Sequence, residues 1–179
     1  MSLKTVLICA ITSCLFINCS QQQQARKPVS QSSGTFMKES AERNKKLIAQ
    51  EESAIAQLIK ADTASHYIAS SKGYWYAYEN QNTKDTLKPK RGNVAIFDYE
   101  IKQLNGAVIY SKNELQTQNY LVDKQNIMMG LRDGIKLMHK NETVKFIFPS
   151  HIAFGYHGDN HKIGSNQPLI CTVTLNDIK

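Results

Sequence analysis

Two textures of apolar and polar positions divide the chain. Between Phe36 and Ala61 there is no proline or glycine, and Leu47, Ala54 and Leu58, with Ile48, Glu51 and Ile55, recur at helical spacing. This predicts an amphipathic helix whose stripe is too thin to stand alone in water. It is expected to pack on the rest of the chain or on a second copy, giving a homodimer through residues 36–61; the other reading of the same pattern is a mere spacer stiffened by its charges. From Tyr74 onward short apolar runs alternate with turn signals, starting with the aromatic, extended Tyr74-Trp75-Tyr76-Ala77-Tyr78. Val94 to Ile101 reads as a strand, Asn105-Gly106 as a tight hairpin in which both residues take positive φ, and Ala107 to Tyr110 as the return strand. Tyr120 to Val122 is a further pairing candidate. In Glu142 to Phe148, Val144, Phe146 and Phe148 alternate with Thr143 and Lys145. In Leu169 to Leu175, Leu169, Cys171, Val173 and Leu175 alternate with Ile170, Thr172 and Thr174. Both predict strands with one buried face.

One helix interrupts the strands. Ile127, Leu131, Ile135 and Met138 sit at helical spacing, and Asn141 suits the left-handed conformation that turns the chain into the next strand. The predicted fold class is α+β: an antiparallel sheet with one short helix on a face, preceded by a helical extension.

Composition adds the compartment. At 179 residues, 41% hydrophobic and 21% charged, the chain has room for one ordinary domain and an extension. The net charge of +7 is scattered, with tight clusters only at Arg43, Lys45, Lys46 and at Lys88, Lys90, Arg91, so these read as solvated surface and no nucleic-acid partner is expected. Tyr74 to Tyr78 lacks interleaved basic residues and reads as sheet packing, not a base-stacking platform. Of the four cysteines, Cys9, Cys14 and Cys19 lie in or beside a short apolar N-terminal segment, and Cys171 sits alone in an alternating apolar run as a buried thiol.

A positive start at Met1 to Lys4, an apolar stretch from Thr5 to Ile17 and the sequence Phe16-Ile17-Asn18-Cys19-Ser20 make a secretory signal ending at a cysteine. It resembles a bacterial lipoprotein signal, which implies cleavage behind Asn18 and lipidation of Cys19. Ile11-Thr12-Ser13-Cys14 fits the lipoprotein cysteine pattern better but leaves too short an apolar region, so Cys19 is the preferred site. The resemblance implies a membrane partner through the lipid anchor and a place in the cell envelope, facing the periplasm from the outer membrane. The organisation is then a signal at 1–18, a flexible tether at 19–35, a helical extension at 36–72 and a domain at 73–179.

Gly92, Phe97-Asp98-Tyr99, the Asn105-Gly106 turn, Ile127-Met128-Met129-Gly130-Leu131-Arg132-Asp133-Gly134 with Met138, Pro149 with Ala153-Phe154-Gly155, and the terminal Leu169 to Leu175 strand occur in an order that resembles the FKBP family of peptidyl-prolyl cis/trans isomerases. With the anchor and the helical extension, the whole is similar to gliding-motility-associated isomerase lipoproteins of that family. The family resemblance implies an FKBP-like sheet wrapped on one helix and an apolar cup for the substrate proline. Tyr99, Met128, Leu131 and Phe154 would be its catalytic residues, and Ile109, Tyr110, Tyr120, Ile127, Ile163 and Cys171 would bind substrate. Met128 would contribute its amide and Leu131 the floor, where the family usually has Trp. Phe154 stands for a Tyr, Tyr110 for an Asp and Cys171 for a Phe. Proline-containing unfolded polypeptides are the implied partners, and no cofactor or metal is implied.

His157, Asp159 and His161 have ligand-type side chains at short spacing, but a solvated loop is the preferred reading. His151 and Tyr156 lack a nucleophile elbow beside them, which disfavours a hydrolase. The alternative to an isomerase is a non-catalytic chaperone or binding module of an envelope or gliding-motility complex, in which the same cup grips apolar segments without turnover.

Overall fold

A computed structural model of the chain describes residues 34–179. The signal, Cys14, Cys19 and nearly all of the tether lie outside them. Lys38–Lys179 form one compact unit. Helix α1 spans Gly34–Ala61, then come β1 Ile68–Ala69, β2 Trp75–Asn80, β3 Val94–Gln103, β4 Val108–Tyr110, the single turn α2 Lys112–Leu115, β5 Gln118–Leu121, α3 Met129–Gly134 running into a 3-10 turn Ile135–Leu137, β6 Thr143–Phe148 and β7 Leu169–Ile178. The strands form an antiparallel sheet in the order β1-β2-β6-β7-β3-β4. β5 takes the other half of the edge that β3 offers to β4: β5 pairs Val94 to Phe97, and β4 pairs Ile101 and Lys102.

The strand period of two assigns the faces. On one face Tyr99 stands opposite Val173 and Val173 opposite Val144, while Ile101, Cys171 and Phe146 form the next row. These side chains and α3 make the main core. The other face carries Trp75, Ile147 and Ile170 in one row. The sequence pattern predicted a single buried face for β6 and β7, yet Ile147 and Ile170 are buried as well, because α1 lies over them. Helix positions Glu51, Ile55, Leu58 and Ile59 make its inward stripe; Ala54 and Ile48, expected in the stripe, face solvent. Burial of an isoleucine such as Ile55 contributes about 1.5–3 kcal/mol. The stripe is therefore satisfied by the chain's own sheet. The sheet begins at Ile68.

α3 is shorter than the expected Ile127–Met138 helix. Met128 is still extended (φ −48°, ψ 131°), and Met138 is extended again beyond the 3-10 turn. Its position comes from close approach. A Cβ on Gly130 would sit 2.5 Å from the Phe148 ring, and one on Gly134 would sit 2.8 Å from the Phe146 ring. Those two rings stack with centroids 5.4 Å apart, and Tyr74 meets Phe148 edge-on at 5.3 Å. The buried Tyr74 also donates its hydroxyl to Asp133 on α3 at 2.8 Å.

The turn after β3 differs from the expected one. Only Gly106 has positive φ, at 86°. Gly106 N–H donates to Gln103 O and Gln103 N–H to Ala107 O, so the loop has three residues, with a glycine bulge after an ordinary turn. Asn141 does take the left-handed conformation, φ 66°, before β6. The adjoining Glu142, fully buried, accepts from Asn82 N–H and from His139 N–H, which closes the base of the α3 to β6 connection. Among the described residues no helix is long and apolar enough to cross a membrane.

Candidate active site

A cavity of about 260 Å³ opens on the α3 face of the sheet. β3 supplies one wall: Phe97, Tyr99 and Ile101 are alternate residues and so project from the same side. β5 adds Tyr120 and the more polar Gln118 and Asn119. The segment entering α3 adds Gln125, Ile127 and Met128, Leu131 forms the floor from the first turn of α3, and Phe154 closes the side from the loop after β6. Leu131 is 3% exposed, so little more than its cavity-facing surface is free.

Polar groups are few and mostly committed. Tyr120 hydroxyl accepts from Asp123 N–H at 3.0 Å, Gln125 accepts from Leu121 N–H at 2.8 Å, and Gln118 donates its amide to Leu115 O at 2.6 Å. The Tyr99 phenol is pushed up by burial first, then by the nearby Cys171 and Tyr110, and it stays neutral. Asp98, pointing away from Tyr99, accepts from Thr117 hydroxyl at 2.6 Å and Asn176 amide at 2.8 Å; these bonds hold its carboxyl below the usual range and tie β3 to β7.

Of the residues expected in the cup, Tyr99, Tyr120, Ile127, Met128, Leu131 and Phe154 line this one cavity. Ile109, Tyr110, Ile163 and Cys171 do not. Cys171 is fully buried behind the wall, between Ile101 and Phe146 in the sheet, and burial pushes its thiol up, so it is an inert core residue. Ile109 and Ile163 are core residues too. Tyr110 is turned to the loop after β6: its hydroxyl donates to Asp159 Oδ2 at 2.5 Å, and Lys162 lies 4.8 Å over its ring. Asp159 Oδ1 accepts from His161 N–H and Ile163 N–H, both at 2.8 Å. Burial alone would raise the Asp159 pKa, but the bonds from Tyr110, Ile163 and His161 outweigh it and hold the carboxyl low. The Asp159 carboxylate is thus engaged in folding its loop, and no group of three or more His, Cys, Asp or Glu that could hold a metal ion occurs among the described residues. Phe97, Ile101, Gln118, Asn119 and Gln125 line the cavity without having been expected there. For the first two, the period of two through Tyr99 was the available signal.

The sequence profile described as FKBP-type peptidyl-prolyl cis-trans isomerase matches residues 85–176. The chain belongs to this family and is a peptidyl-prolyl cis-trans isomerase. Comparison with curated proteins finds no match. Among solved structures, a peptidyl-prolyl cis-trans isomerase from Pseudomonas syringae pv. tomato is similar over 75% of this chain and 95% of its own, with 18% identity and a TM-score of 0.61. FkpA from Escherichia coli is similar over 98% of this chain and 82% of its own, with 19% identity and a TM-score of 0.61. At these identities the two structures show a shared fold.

Proposed function

We propose that the protein assists folding of exported polypeptides by isomerising X-Pro bonds in the cavity, without a covalent intermediate. The observation that carries the reading is the convergence of Tyr99, Leu131, Phe154 and Met128 on one largely apolar hollow. Rotation about the imide meets a barrier of about 18–20 kcal/mol because resonance gives the C–N bond double-bond character, and uncatalysed exchange takes tens to hundreds of seconds. The twisted state has lost that resonance and has a smaller dipole. A dry apolar surface therefore disfavours it less than the planar ground state. Met128 N–H makes no hydrogen bond to another described residue and can hold the carbonyl beside the proline. Each 1.36 kcal/mol removed from the barrier gives about a tenfold rate. Phe154 carries no hydroxyl for a substrate carbonyl, so positioning falls to Met128 and the neutral Tyr99.

The export setting is supported by the signal-like residues 1–18 and the cysteine at position 19, with the polar tether behind it. The signal-like start with its cysteine, the helical extension and the altered cup are the sequence features behind the narrower reading, kinship with gliding-motility-associated lipoproteins. A protease-coupled assay on short X-Pro peptides tests the activity. The protein at micromolar concentration accelerates cis-to-trans conversion, and Phe154→Ala lowers kcat/KM about tenfold; absence of acceleration by the unaltered protein favours a binding module instead. Cys19→Ser abolishes incorporation of a labelled fatty acid in cells, and continued labelling of that variant overturns Cys19 as the anchor.

A further inference from the structure

Helix α1 precedes the family segment 85–176, yet it reaches the loop that carries Phe154. Glu51, 6% exposed, accepts from Ser150 N–H at 2.9 Å with Oε2 and from Ser150 hydroxyl at 2.6 Å with Oε1. Both oxygens of the carboxylate are thus given to one buried serine, 99 residues away in the chain. Hydrogen bonds to an ionised acceptor are the strong kind, and two on one residue fix its orientation as well as its place. Ser150 is the pivot of the next turn. Its carbonyl accepts from Ala153 N–H at 3.0 Å and from Gly155 N–H at 2.8 Å, the residues on either side of Phe154. One helical turn along α1, Ile55 packs on Ile147, the residue before Phe148 and Pro149. This apolar contact fastens the helix to the sheet, whereas the carboxylate alone reaches the turn beyond β6. The same turn is bound from the opposite side, where Ile152 O accepts from Gly130 N–H of α3 at 3.0 Å.

We infer that Glu51 is a positioning residue of the isomerase: by holding Ser150 it sets the turn that presents Phe154 to the cavity, so this one side chain of the N-terminal helix acts on the active site. The inference rests on the cavity being where isomerisation occurs. A mere spacer would not bury a carboxylate against the catalytic loop, since an acidic side chain taken out of water without such partners is strongly disfavoured. Apolar contact through Ile55 alone would have sufficed to cover the sheet.

The test uses the full chain and the peptide assay, at a temperature where circular dichroism shows every variant folded. Glu51→Ala lowers kcat/KM about fivefold or more, while Glu51→Gln, whose amide can still accept from Ser150 N–H and meet its hydroxyl, stays within about twofold of the unaltered protein. Ile55→Ala loosens the same helix without touching the carboxylate; it lowers the melting temperature and leaves kcat/KM within about twofold. Ser150→Ala gives a smaller loss than Glu51→Ala, and the two combined lose no more than Glu51→Ala alone, because they remove one interaction. Unchanged kcat/KM in Glu51→Ala, or equal losses in Glu51→Ala and Ile55→Ala, overturns the inference. If Glu51→Ala does not fold, Ser150→Ala decides in the same way, unchanged kcat/KM counting against it. Activity of the unaltered protein with a defect in Phe154→Ala shows that the cavity reading stands whatever Glu51 does.

Discussion

The two helices packed on the sheet hold it by opposite means. α1 has 28 residues and touches the sheet through a stripe of a few side chains, chiefly Ile55 on Ile147 and Ile170. α3 has six residues and lies so close that Gly130 and Gly134 leave no room for a Cβ against Phe148 and Phe146. The long helix obtains its hold from length and a buried carboxylate, the short one from near contact of backbone and aromatic ring. Contact of the second kind tolerates little displacement, which suits the helix that carries the cavity floor, Leu131. Contact of the first kind can be loosened without moving the floor.

The largest effect expected from breaking this contrast is on stability. Ile55→Ala leaves a hole between α1 and the sheet and costs about 3 kcal/mol, a fall of roughly 6–12 °C in melting temperature for a chain of this size. A shift under about 1 kcal/mol in urea unfolding shows that α1 rests only lightly on the sheet. Gly130→Ala is next. The added methyl meets the Phe148 ring and forces helix and strand apart, for about 2 kcal/mol. Unlike Ile55→Ala, it also lowers kcat/KM in the folded protein, because Met128 and Leu131 move with the helix. Equal activity in the two variants erases the distinction drawn between the helices.

The same contrast explains what could be read from the sequence. α1 was visible from its proline-free, glycine-free run, and its stripe from Glu51, Ile55 and Leu58. Its partner was hidden because the alternation in β6 and β7 suggests one buried face. The isoleucines at 147 and 170, apolar in the nominally outward phase, were the sign that the second face is covered too. For the cavity, Tyr99, Leu131 and Phe154 were legible through the family motifs. Carrying the cup over by motif position, however, admitted Cys171 and Tyr110, whose directions depend on pairing with Phe146 and on the Asp159 loop. Phe97 and Ile101 needed only the strand period. The place of Glu51 in the stripe was legible from its spacing, but its role was not, since its partner Ser150 is distant in sequence and has no motif of its own.

The smallest expected effect lies where α1 ends. Asp62, just past the last turn, accepts from Tyr67 hydroxyl at 2.9 Å and from Lys145 Nζ at 3.3 Å. Tyr67 first, then Ser65 and Lys145, lower its pKa from 3.8 to about 2 against the opposing effect of burial. Because the folded-state value lies below the ordinary one, the unfolded chain binds more protons in that interval. The stabilisation is complete above pH 3.8 and is lost as pH falls through about 2. Tyr67→Phe removes the leading cause, so the Asp62 carboxyl titrates closer to 3.8 by NMR and stability falls less steeply over this acid window. At neutral pH the loss stays below about 1 kcal/mol, since the pair is partly solvated. An unchanged Asp62 titration in that variant shifts the credit to Ser65 and Lys145, and the end of α1 is then held by that hydroxyl and by charge on β6 instead of by the phenol.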